Sequence, residues 1–221
     1  MNILQAHHRA NNALALATEL GIPSLPALIA CFLSEQLQPE PTPAVSRLPP
    51  FTGRIKIFHS ATATFVSPSD PSGIGTMQHE HIHAVPSWRR GPACYDCMFV
   101  SMDDTQEGML GMEVAHVYCF FSFIHTNGQT FSCALVHWFN HISDIVDKLT
   151  GMWMVAPSFL EDGSQNLAVI HIDSIVHGVH ILLIFGKENV PQGVNCHNSL
   201  DLYRGFYVNH FSDHHAFELA S

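Results

Sequence analysis

The chain has 221 residues, of which 47% are apolar and 13% charged. That composition excludes an intrinsically disordered chain, which would be apolar-poor and charge-rich, and the length is enough for one large domain with a buried core. Acidic residues outnumber basic ones 19 to 9, giving a formal net charge of −10, which argues against a nucleic-acid footprint on the chain as it stands.

The opening residues Met1-Asn2-Ile3-Leu4-Gln5 lack the basic start and apolar run of a secretory signal. Alanine and leucine dominate residues 13–17, and Gly21 follows Leu20 where a C-cap glycine belongs, so a first helix is expected there. A second helix should start at Ser24 as N-cap, with Pro26 in its first turn. Leu25, Leu28, Ile29, Phe32 and Leu33 give it one apolar face, and it stops by Pro39. Residues 1–37 are therefore expected to be a helical segment, the tail of a preceding region. Pro39, Pro41, Pro43, Pro49 and Pro50 mark 38–53 as a linker.

Residues 54–221 are expected to form one β-rich domain. Ile55, Ile57 and Phe58, then Thr62, Thr64, Phe65 and Val66, supply β-branched and aromatic strand residues. Residues 67–73 are loop by composition. Further strands are expected at 97–102, 114–125, 130–139, 152–156, 168–172 and 179–185. Asn127-Gly128 between the second and third of these is a strong hairpin signal. A short helix over 199–208 closes the chain. Strands without alternating helices predict a mainly β (α+β) fold, an antiparallel sheet curled into a barrel, with helices only at the two ends. No run is long and apolar enough to span a bilayer. Six cysteines are too sparse for a disulfide scaffold, so no membrane partner and a reducing compartment are expected.

The chemistry-bearing residues are mainly histidines, 17 in all. His79, His81 and His83 would share one face of a strand, and Cys94 and Cys97 follow as a Cys-x-x-Cys pair, so the five form a candidate zinc cluster. The alternative is that they are unrelated polar residues of a loop or edge strand, since one Cys-x-x-Cys without a second half is a weak signal. His137 with His141, and His214-His215, read as partly buried histidines at a sheet rim. Asp70, Asp96, Asp103, Asp104, Asp144, Asp147, Asp162 and Asp173 fall in turn-like stretches, and no set of them stands out as a two-metal nuclease centre. A serine-nucleophile elbow is absent, and Gly73-Ile-Gly75 lacks the lysine of a phosphate loop. Trp88, Tyr95, Trp138 and Trp153 are candidates for an aromatic pocket taking a cation, against the plainer role of core aromatics.

Several phrases occur together: Ile57-Phe-His-Ser-Ala-Thr-Ala-Thr-Phe65, Pro68-Ser-Asp-Pro-Ser-Gly-Ile74, Pro86-Ser-Trp-Arg-Arg-Gly-Pro92, Tyr95-Asp-Cys97 and Cys133-Ala-Leu-Val-His-Trp-Phe139. Thr150-Gly-Met-Trp153, Val169-Ile-His-Ile-Asp173, Ser199-Leu-Asp201, Phe206-Tyr-Val-Asn209 and Asp213-His-His-Ala-Phe-Glu218 continue the series. In this order they resemble the C-terminal region of fungal Plavaka-type transposases, relatives of the CACTA group, over roughly residues 22–220. The resemblance implies a non-catalytic accessory module, because the catalytic acids of such elements lie in a separate upstream nuclease domain. It also implies a BAH- or SH3-like barrel, nuclear localisation, no cofactor, and DNA or chromatin as the ancestral partner. Relatives carry basic residues, mainly arginine, at the positions of Gln78, His79, His81, His83, Cys94, His116 and His177. One deamination-type transition converts a CG-type arginine codon to histidine, glutamine or cysteine, so the resemblance implies a decayed copy. The retained Arg89 and Arg90, beside Trp88, Tyr95, Trp138 and Trp153, are then the expected partner-binding residues.

Overall fold

The computed structural model describes residues 2–3, 6–7, 10–37, 49–66, 77–186, 190, 193–194 and 198–220. The expected loop at 67–73, Asp70, the Gly73–Gly75 stretch and most of the proline-rich linker lie outside them. Helix α1 (Ala13–Leu20) starts where the Asn12 side chain accepts from the Ala15 amide, and ends at Gly21, whose φ of 68° is the left-handed C-cap conformation. Helix α2 (Leu25–Leu37) buries Leu25, Pro26, Ile29 and Phe32. Both helices share a core with strand residues Phe121, Phe131, Leu135 and Val169. The end of the linker joins them, as the Phe51 amide donates to the Pro26 carbonyl and the Phe51 ring packs 4.8 Å from Phe123.

The spine is the hairpin of β8 (Met112–Ile124) and β9 (Thr130–His141), closed through Asn127 and Gly128, with Gly128 at φ 85°. Its strands are long enough for each half to pair differently. The first half of β8 pairs with β7 (Cys97–Ser101), the second with β3 (Lys56–Phe58). On β9, residues 133–137 pair with β11 (Leu167–His171) and 139–141 with β10 (Met154–Pro157). The β8–β9 register shifts between Val117 and Cys119, so Tyr118 is an extra residue. A one-residue insertion in a period-2 element exchanges the faces. Before it Ala115 and Val117 face the core under β4 and β5; after it Phe120 does, while Cys119, Phe121 and Phe123 face the helices.

Beyond β10 the sheet continues to β14 (Phe206–Val208) and β13 (Ile181–Leu183), while its other margin, past β7, is β12 (Ile175–Val179). Strands β12 and β13 follow one another through His180, so the two margins of the path meet and the antiparallel sheet is nearly closed into a barrel. The single strand expected at 179–185 is thus two strands on opposite sides of a seam. Strand β4 (Ser60–Val66) pairs with β5 (Met77–Val85) and β5 with β6 (Cys94–Tyr95), forming a second layer with β1 (Asn2–Ile3); β2 (Ala6–His7) pairs with β3.

The fold is mainly β, with helices towards both ends of the chain, as the residue patterning implies. The expected helix at 199–208 is corrected: α3 spans Ser199–Leu202 only, and Phe206–Val208 is strand. Phe206 and Val208 are buried and alternate with Tyr207, so pairing to β10 and β13 overrides helix propensity. The helix that closes the chain is α4 (His214–Ala220), begun where the Asp213 carboxylate accepts from the Ala216 amide. Among the described residues no helix is long and apolar enough to cross a membrane.

Candidate functional site

Alternation along β5 sorts its residues. Ile82 and Ala84 are buried, Gln78 and Glu80 lie on that same inward side, and His79, His81 and His83 take the outward one. The Nδ1 atoms of His79 and His81 lie 3.0 and 3.1 Å from the Thr64 and Thr62 hydroxyls on β4, their partners in register. The expected sharing of one strand face is therefore present, but the three imidazoles do not converge on a point: His81 and His83 have ring centroids 6.4 Å apart.

Strand β5 leads through a tight loop to β6. The Trp88 amide donates to the Pro92 carbonyl, the Gly91 amide to the Trp88 carbonyl, and the Ser87 hydroxyl to the Gly91 carbonyl. Arg89 and Arg90 sit at the tip with φ of 50° and 64°, in the left-handed region that non-glycine residues seldom occupy. Both are exposed, and the Arg89 guanidinium lies 5.5 Å from the centroid of the Trp88 ring, itself 40% exposed. Trp88 turns its other contact inward, with its ring centroid 4.3 Å from that of His83.

At the base of this loop His83, Cys94 and Asp96 converge. Among the described residues they are the one group of histidine, cysteine and acidic side chains whose ligand atoms all lie within 4.8 Å of one another. The Asp96 carboxylate accepts from the His83 amide at 2.7 Å, lies 3.0 Å from His83 Nδ1, and accepts from the Cys94 thiol at 3.5 Å. The Asp96 amide in turn donates to the His83 carbonyl at 3.0 Å, closing a backbone clamp. Burial, with the neighbouring Asp96 charge and hydrogen bond, pushes the Cys94 thiol up to about 11.

Cys97 does not join them. It is buried with Phe99 and Val114, and burial raises its thiol further still. Cys94 and Asp96 are two apart and share a side, whereas Cys97 falls on the opposite one. The Cys-x-x-Cys spacing therefore selects the wrong partner, and the period of an extended chain selects Asp96.

The aromatic candidates separate. Trp138 and Trp153 are buried in different core clusters, so of the expected partner-binding residues these two lie away from the surface. Tyr95 is half-buried against Tyr118 and His116, so Trp88 alone of the four is exposed. The remaining histidines also divide. His116 and His137 are buried, each bonding a backbone carbonyl, Tyr95 at 3.1 Å and Ser158 at 2.8 Å. Desolvation by burial lowers His116 to about 4. His137 and His141 lie four residues apart on an extended strand, roughly 13 Å, too far to share an ion. His177 is 1% exposed; its Nδ1 donates to the Gly178 carbonyl and its Nε2 is 3.4 Å from Glu80 and 4.0 Å from Asp213. His215 stacks on Phe65 at 4.3 Å beside it.

Asp103, Asp147 and Asp162 anchor turns. Hydrogen bonds from Thr105, Thr150 and Ser164 respectively hold their carboxyls below the usual range. No family model matches the chain, and no curated protein or solved structure is significantly similar to it.

Proposed function

We propose that this chain is a non-catalytic accessory module of transposase origin, of the Plavaka type, acting in the nucleus and meeting nucleic acid through one face. That face consists of His79 and His81 on β5 and the Trp88-Arg89-Arg90 tip of the following loop. The observation that carries this reading is the continuity of the face: two exposed imidazoles on alternate strand positions run toward a tight, internally hydrogen-bonded loop that presents an aromatic ring and two guanidinium groups. Phosphate contacts position a protein on a duplex, and exposed bases stack on aromatic rings.

Of the seven positions at which relatives carry basic residues, Gln78 lies on the inward side of β5 and the other six fall into three classes. Outward-facing His79 and His81 are suited to meeting a phosphate backbone. His83 and Cys94 are tied to Asp96. His116 and His177 are buried against backbone carbonyls and do not belong to the exposed face. Arginine at the first class would supply a fixed charge to a phosphate backbone, which an imidazole does not.

The test is a salt titration of generic duplex DNA binding by the natural chain and by the His79→Arg/His81→Arg double variant. The natural chain should bind weakly at physiological salt. The variant should bind more tightly, with a log–log salt slope steeper by up to about two, close to one unit for each additional phosphate neutralised. Superimposable curves would show that this face meets no phosphate backbone.

A further inference from the structure

We propose that His83, Cys94 and Asp96 form a binding site for one divalent transition-metal ion of the zinc class, with three protein ligands and a fourth position open to water. Metal bonds of about 2.0 Å to nitrogen or oxygen and about 2.3 Å to sulfur place the ligand atoms of a tetrahedral site roughly 3.3–3.8 Å apart. His83 Nδ1 is 3.0 Å from one Asp96 oxygen, and Cys94 Sγ is 3.5 Å from the other. All three ligand atoms already lie within 4.8 Å of one another, so closing on an ion takes side-chain rotation alone.

The backbone beneath is fixed independently of any ion. Ala84 pairs with Tyr95 and Val85 with Cys94 in register, and the reciprocal amide bonds between His83 and Asp96 hold the two ligands across the hairpin. The amide that donates to the Asp96 carboxylate is an outer-shell bond of the kind that orients a metal-binding carboxylate. Trp88 packs on His83 and covers one side of the group, so the site is half-shielded rather than open surface.

The donor set narrows the ion. Nitrogen, sulfur and oxygen together suit zinc or cobalt and do not suit magnesium or calcium, which take oxygen donors. Binding replaces the Cys94 thiol proton, which leaves to solvent. Thiolate, carboxylate and neutral imidazole then supply two negative charges to a doubly charged cation. His79 and His81 are outside the set, their Nδ1 atoms bonded to threonine hydroxyls, and Cys97 is in the core.

The experiment uses the full chain and cobalt(II) alone, followed by displacement with zinc(II). A thiolate-to-cobalt charge-transfer absorption should grow to saturation at one equivalent and vanish on adding zinc. Cys94→Ser should abolish that absorption, and Asp96→Asn should weaken binding at least tenfold. His214→Ala, at an exposed histidine outside the cluster, should bind cobalt as the natural chain does. Cobalt bound to the natural chain without thiolate absorption, no binding at all, or unchanged binding by a folded Asp96→Asn protein would each overturn the proposal. The DNA reading rests on His79 and His81 and is measured separately, so either can fail without the other.

Discussion

Lowering the pH from 7 to 4 should destabilise the barrel, with His116 supplying a definable share. Its ring is 5% exposed on β8, opposite His137 in register, and its Nε2 reaches the Tyr95 carbonyl. Burial is the largest influence on it; the Tyr95 carbonyl and the Asp96 charge pull the other way, and His137 adds to the depression. Its pKa therefore falls from the ordinary 6.5 to about 4. Between those values the unfolded chain takes up a proton that the native one refuses, so stability is full above about 6.5 and declines as pH falls toward 4. At 1.36 kcal/mol per unit, the loss is about 3 kcal/mol, a large share of the 5–15 kcal/mol typical of a domain. The assay is urea unfolding at pH 7, 6, 5 and 4 for the natural chain and for His116→Gln, which keeps an amide donor for the Tyr95 carbonyl and does not titrate. Groups that do not face His116 contribute equally in both proteins, so the difference between the curves isolates this residue together with its coupling to His137 and Asp96. Parallel stability profiles would mean that the native chain protonates His116 as readily as the unfolded one.

Two glycines offer sharper geometric tests. A Cβ on Gly111 would stand 2.6 Å from the Asp103 and Gln106 carbonyl oxygens, backbone atoms that hold the turn before β8; Gly111→Ala should cost roughly 2–4 kcal/mol in urea unfolding. A Cβ on Gly178 would stand 2.7–2.9 Å from the Glu80 carboxylate, which accepts the Gly178 amide. Gly178→Ala should cost about 1–3 kcal/mol by dislodging that carboxylate, and in a Glu80→Ala background it should cost clearly less; strict additivity would contradict the contact.

Much of the barrel was legible in the sequence because local signals and tertiary pairing agree there. Ala13–Leu20 ends at Gly21, and Asn127-Gly128 closes the central hairpin, each as the residue types demand. The disagreements have physical sources. Phe206-Tyr207-Val208 becomes strand because two neighbouring strands pair with it, and neither is near in sequence. The candidate site was half-visible: strand alternation put His79, His81 and His83 on one side, but motif spacing favoured Cys97 where the extended backbone brings Asp96. The burial of His116 was hidden for another reason. Its side depends on parity along β8, and that parity changes at the Tyr118 bulge, which no local pattern announces.

The seam at His180 bears on how the barrel is made. Strand β12 zips onto β7 and β13 onto β14, so one residue links the last strands of two margins. The β8–β9 hairpin needs only its own turn to form, whereas both margins wait for partners from distant parts of the chain. Contacts of high sequence separation form slowly. During synthesis the outer edge of β7 is therefore unpaired until β12 has left the ribosome, and the outer edge of β10 until β14 has. In that interval the β7 edge and the β10 edge are open to strands of other molecules, so the interval before closure, rather than the finished barrel, is when this chain is most prone to aggregate.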